Sequence, residues 1–200
     1  MKIYDISQEV LSCSVYPGDP APRRTILQSM EQGELYNLSA FQMCAHNGTH
    51  VDAPAHFLKD GKTVDSIPLY SLVGMAYVAR HDGVLSAEDA IAILEKAQEA
   101  DGEAARRILL KGSAEVSAAA AEIFARSDVL LVGNESQSVG PENAPMAVHK
   151  ILLSRDIVLL EGIRLSRVPE GVYLLSAAPL NIAGAEGSPC RALLIAMGEK

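Results

Sequence analysis

A mixed α/β fold is predicted by three features of this 200-residue sequence. The amino-terminal part alternates apolar and polar residues with the period of two that half-buried strands show, and turn residues separate the runs. Beyond Pro68, short apolar runs take turns with longer segments of helical character, the order expected when helices pack on a sheet. Hydrophobic residues make up 48% and charged residues 21%, which gives a chain of this length enough apolar side chains for a sizeable core.

In chain order, residues 2–7 alternate as a first strand. Tyr16-Pro17-Gly18-Asp19-Pro20 is a strong turn signal, because proline presets φ and glycine accepts positive φ. Strands are expected over residues 24–30 and 34–44, the second from the largely alternating Leu35-Tyr36-Asn37-Leu38-Ser39-Ala40-Phe41-Gln42-Met43. Residues 72–79 read as a buried strand. Ser86, with Asp89 three positions on, is an N-cap signature that opens a helix to about Ala100. A strand over 107–111, an alanine-rich helix over 115–126 and a fully buried short strand over 129–132 follow. Residues 145–153 should be helical, and strands over 156–160, 172–175 and 192–196 complete the set. No linker, charge run or internal repeat divides the sequence, so residues 1–200 are expected to form a single domain.

A formal net charge of -8 argues against a surface that follows a phosphate backbone, which excludes nucleic acid as an expected partner. The most apolar stretch, 151–160, is interrupted by Ser154, Arg155 and Asp156 and falls well short of the roughly 20 residues that cross a bilayer, so no membrane association is expected. The first residues lack the apolar segment of a secretory signal, and a cytoplasmic location follows. Cys13, Cys44 and Cys190 are too few and too scattered for a disulfide framework and read as reduced, half-buried thiols. Gly61-Lys62-Thr63 lacks the earlier glycine of a phosphate loop and reads as a turn. No G-x-S-x-G elbow is present, Cys44 reads as a packed thiol at a strand end, and His81 as a solvated turn residue.

The chemistry is concentrated in His46-Asn47-Gly48-Thr49-His50-Val51-Asp52-Ala53-Pro54-Ala55-His56, where three of the five histidines and a carboxylate fall within eleven residues. One histidine alone is more often a packed core or surface residue. This density, with glycine and proline at the bends, points to a metal site instead. Gly48 and Pro54 disfavour a continuous helix, so a turn into an extended segment is expected, with His50 and Asp52 on one side of it. Imidazole and carboxylate donors suit zinc, manganese or iron, and so small a set leaves coordination positions open to water or substrate. Pro54 stiffens the path to His56, which is thereby held near the metal and available to move protons.

This stretch resembles the cyclase family of metal-dependent hydrolases, which includes bacterial kynurenine formamidase and isatin hydrolase, at every fixed position of its signature H-x-G-T-H-x-D-x-P-x-H. Tyr16-Pro17-Gly18-Asp19-Pro20 resembles the family's early turn and Glu186-Gly187-Ser188-Pro189-Cys190-Arg191 its closing G-S-P-x-R segment, so the likeness spans nearly the whole chain. The resemblance implies a swivelling β/β/α fold around a central barrel-like mixed β-sheet. It implies that His46, His50 and Asp52 hold one metal, that Asp52 bridges to a second, and that His149 and Glu161 complete the second site. It further implies two divalent ions per subunit, zinc with manganese as the alternative, and His56 as the catalytic acid/base. The expected reaction is hydrolysis of an amide bond in a small molecule, an aryl formamide or cyclic amide. The alternatives are an esterase or lactonase of the same family, or a non-catalytic metal or small-molecule binder. A homodimer or homotetramer is the implied assembly. Two departures bear on substrate identity. Residues 133–140 read Gly-Asn-Glu-Ser-Gln-Ser-Val-Gly where many members carry G-x-D-T-x-S-x-D, and the chain has none of the tryptophan that kynurenine-cleaving members use to hold an aryl group.

Overall fold

The structure, a computed structural model, describes residues 1–196. Its strands are β1 (Lys2–Asp5), β2 (Arg23–Gln28), β3 (Leu38–Gln42), β4 (His50–Asp52), β5 (Val73–Arg80), β6 (Gly83–Leu85), β7 (Arg107–Lys111), β8 (Ala114–Val116), β9 (Leu131–Asn134), β10 (Val158–Glu161), β11 (Gly171–Ser176), β12 (Gly187–Pro189) and β13 (Leu193–Ala196). The helices are α1 (Leu69–Leu72), α2 (Ala87–Ala100), α3 (Ala118–Ala125) and α4 (Met146–Leu153). Nine strands join in one curled mixed sheet, in the order β1-β13-β11-β5-β7-β9-β10-β4-β12. β5, β7, β9 and β10 run parallel to their neighbours in that group, and the flanking strands pair antiparallel. This is the mixed, barrel-like sheet expected, curled rather than closed, with β1 and β12 at its edges among the described residues.

Strands buried on both faces need apolar residues at every position, and the central ones have them. Ile108, Leu110, Val132 and Leu159 point to the face covered by α2, α3 and α4. Leu109, Leu131, Val158 and Leu160 point to the other face, where they pack with Ile6, Val51, Leu175 and Leu194. The period of two thus divides one sheet between two cores. α2 starts where the cap signature places it: Ser86 Oγ accepts from Asp89 N at 3.1 Å, and Asp89 Oδ2 accepts from Ser86 N at 3.0 Å.

Several expected boundaries move. The helix expected over 115–126 begins at Ala118, because Ser117 caps it by accepting from Ala120 N at 3.1 Å. Residues 114–116 are instead β8, paired parallel with β6. The strand expected over 129–132 is β9, two residues later and buried throughout. β5 was expected to be buried, yet Val73 at its start is exposed. The long strand expected over 34–44 shortens to β3, which joins β2 in a separate hairpin exposed along nearly its whole length. His81, just past β5, is half buried rather than solvated. Cys13, Cys44 and Cys190 are free and half buried, as expected. Among the described residues no helix is long and apolar enough to cross a membrane.

Candidate metal centre

The cluster forms where β4 lies between β10 and β12. Gly48, at φ 65°, makes the bend that only glycine adopts freely, and the chain then runs extended as β4. In the antiparallel register His50 stands opposite Glu161 and Asp52 opposite Leu159. Leu159 belongs to the helix-covered face, so His50, Asp52 and Glu161 point there too. α4 packs over that face and adds His149 from above. A short 3₁₀ turn, Pro54–His56, then brings His56 back beside the others.

Four residues of one short stretch are therefore brought together with two, His149 and Glu161, from far along the sequence. His46 Nδ1 lies 2.8 Å from Asp52 Oδ1 and His50 Nε2 lies 3.4 Å from the same oxygen. His149 Nε2 is 3.6 Å from Asp52 Oδ2 and 3.2 Å from Glu161 Oε1, while Glu161 Oε2 is 3.4 Å from His50 Nε2. His56 stacks on the His46 ring at 4.0 Å between centroids, with its Nε2 3.9 Å from Asp52 Oδ2. Two groups of potential ligand atoms result, His46–His50–Asp52 and Asp52–His149–Glu161, each with its atoms within 4.8 Å of one another.

Metal fits this geometry better than a self-satisfied polar core does. Most of these separations are long for hydrogen bonds, yet they are what two ligands of one ion show when each is about 2.0–2.2 Å from it. Asp52 is completely buried, and its Oδ2 has no hydrogen-bond partner, a costly state for a carboxylate oxygen. His50 Nδ1 lies 3.0 Å from Gly48 O and His149 Nδ1 2.9 Å from Pro145 O. A carbonyl only accepts, so each ring keeps its proton on Nδ1 and turns the Nε2 lone pair inward, the support commonly found behind metal-binding imidazoles.

The main chain around these groups is tied down by contacts from neighbouring residues. Thr49 Oγ1 donates to Gly162 O at 2.8 Å and accepts from Gln8 N at 2.9 Å, which joins the loop before β4 to the end of β10. Val139 N donates to Glu161 Oε1 at 2.7 Å. Gly187 in β12 faces the His46 ring so closely that an added Cβ would stand 2.5 Å from Cε1.

Charge follows the same pattern. Burial alone pushes His50 and His149 down, but the nearby carboxylates of Asp52 and Glu161 outweigh it and lift both to about 10 without metal. Burial raises Asp52, and the three imidazoles more than reverse that, holding it well below the usual carboxylate range. His56 goes the other way: its burial keeps it below the ordinary histidine value, so it is neutral near pH 7.

Five of the six residues line a cavity of about 260 Å³, with Asp52 beneath them. The volume lies just under the roughly 300–1,000 Å³ of drug-sized pockets, so the site takes a small molecule. Tyr16, Asp19, Cys44, Phe57, Gln137, Ser138 and Pro145 form the remaining wall. Cys44 is thus a cavity residue rather than only a packed thiol. A larger open groove beside the carboxyl end of α2 has none of the cluster on its walls.

The Cyclase family model matches residues 4–141 of this chain. A kynurenine formamidase of Salinibacter ruber is 36% identical over 97% of each chain. A solved structure described as a potential metal-dependent hydrolase with cyclase activity superposes with a TM-score of 0.80, at 30% identity over 96% of both chains. Isatin hydrolase A of Labrenzia aggregata shares the fold with a TM-score of 0.81, at 21% identity over 98% of this chain and 94% of that one.

Proposed function

Because this chain belongs to the cyclase family, we propose that it is a metal-dependent hydrolase that cleaves an amide bond of a small molecule, an aryl formamide or cyclic amide. The observation that carries this reading is the fully buried Asp52, shared by two ligand groups and left with an unpaired oxygen. His46, His50 and Asp52 would hold one ion, and Asp52, His149 and Glu161 a second. Zinc is the expected metal and manganese the alternative, since nitrogen and carboxylate donors suit both.

A bound divalent cation supplies Lewis acidity, polarising the substrate carbonyl and bringing the ionisation of water near neutral pH. His56, neutral and part-exposed beside the cluster, takes a proton from the attacking water and returns it to the departing amine nitrogen. Phe57, in edge contact with His56, and Pro145 give the substrate an apolar wall. The whole chain acts as one catalytic domain, with β1 pairing β13 from the opposite end. Its free cysteines suit the reducing cytoplasm. The exposed hairpin of β2 and β3 suits a homodimer or homotetramer, because two apolar-rich strands without a core are marginal in water.

Stepwise addition of zinc or manganese to chelator-stripped protein, with formanilide hydrolysis and bound metal measured together, tests the reading. Turnover should rise and saturate as metal reaches two ions per chain. Tight metal binding with no turnover of formanilides, simple anilides or isatin would make this a binder, and turnover of esters or lactones alone would reassign the bond.

A further inference from the structure

The loop that follows β9 reaches both groups of potential ligands. Val139 N holds Glu161 Oε1, and Gln137 Nε2, two residues earlier, donates to Gly48 O at 3.1 Å. Gly48 O is the same carbonyl that accepts from His50 Nδ1 at 3.0 Å, so its two lone pairs serve one imidazole and one amide. That contact fixes the amide's orientation, because only its NH2 end can donate to a carbonyl. Gln137 Oε1 is consequently buried with no hydrogen-bond partner, a costly state that marks Nε2 as the end the fold needs. Gly162 clears the space: a Cβ there would stand 2.2 Å from both Gln137 Nε2 and Gly48 O. The carbonyl in turn needs a tie. Glycine's freedom in φ and ψ lets the peptide plane after Gly48 turn at little cost, and a turned carbonyl would leave the His50 ring without the acceptor that directs its Nε2 toward Asp52 and Glu161.

Resting on the metal-centre reading, we propose that Gln137 is a positioning residue for the ion of the His46–His50–Asp52 group: its amide fixes the Gly48 carbonyl, and the carbonyl fixes the tautomer and direction of His50. Its reach ends there. In the Asp52–His149–Glu161 group, main-chain atoms of Val139 and Pro145 orient Glu161 and His149 instead.

Gln137→Met and Gln137→Leu both delete the donor, the first at nearly the original length. One readout needs no metal. In chelated protein, NMR on histidine-labelled samples follows exchange of the buried His50 Nδ1 proton with solvent, and both variants should speed it roughly tenfold, the loss of one hydrogen bond. Ser86→Ala, which removes the distant cap of α2 and lowers stability by a comparable amount, should leave that exchange unchanged. The other readout is zinc affinity, by competition with a chromophoric chelator: one ion should bind about tenfold more weakly and the other within about twofold of the unmodified protein. If the unmodified protein holds no zinc, yet the His50 proton exchanges faster in both Gln137 variants, the metal reading fails and the hold of Gln137 on His50 stands. Unchanged exchange in both variants, an equal rise in Ser86→Ala, or an equal loss of both ions overturns it.

Discussion

Asp52 is fully buried, and its two oxygens face different partners: Oδ1 meets His46 and His50, Oδ2 meets His149 and lies near His56. Asp52 belongs to both potential ligand groups, and if it serves the two proposed ions Asp52→Ala should remove both, as read by elemental analysis of the folded variant. Retention of one ion would argue against bridging. His56 sits at the rim of the same group, 29% exposed, and His56→Ala should lower kcat by about a hundredfold or more while both ions stay bound. Loss of metal there would make His56 a ligand. Thr49 works at one remove. Thr49→Val deletes the hydroxyl between Gln8 N and Gly162 O, and should cost about 1–3 kcal/mol in denaturant unfolding, because the part-buried Gln8 N loses its acceptor and a buried hydrogen bond to Gly162 O goes with it. The three histidines and Asp52 could be read along eleven residues because local spacing carries them. His149 and Glu161 were legible only through the family's pattern. The contacts of Thr49, Gln8, Asp19 and Gln137 were not, since they reach main chain or cavity that only the tertiary fold brings near.

At the scale of elements, caps and apolar runs were the readable features. Ser86 and Asp89 place the start of α2, and Ile108-Leu109-Leu110 places β7, because each signal is local and strong. β8 escaped because Ala114, Glu115 and Val116 run straight into an alanine-rich helix, and only pairing with β6 makes them a strand. The hairpin of β2 and β3 was legible as strands but not as exposed, since alternation implies a face to bury without saying on what. Ile26 and Phe41 share one face of that hairpin, as Arg24 pairs with Phe41 and Ile26 lies two residues on, and they are 58% and 66% exposed. If a second copy covers that face, Ile26→Asp with Phe41→Asp should convert the native oligomer to a smaller species in sedimentation experiments. An unmodified protein already monomeric at working concentration would refute the arm's role.

At the scale of the whole molecule, the cluster couples folding to both protons and metal. Without metal, His50 and His149 carry values near 10 in the folded chain against about 6.5 when unfolded. A raised value means the folded state holds protons that the unfolded state releases first. The stabilising ion pairs with Asp52 and Glu161 are thus fully present below about pH 6.5 and fade as pH rises toward 10. In the proposed centre metal would require the neutral imidazoles, and so would displace those protons and bind more tightly as pH rises. The two trends oppose each other. Chelated protein should melt at progressively lower temperature from pH 6.5 to 8.5, while the gain in Tm on adding manganese should widen over the same range. At free metal a hundredfold above Kd, one ion contributes about 2.7 kcal/mol, or about 5–10 °C for a chain of this size. A constant gap across that pH range would mean that the protons displaced by metal are not those of His50 and His149, and the ligand set would have to be redrawn around other groups.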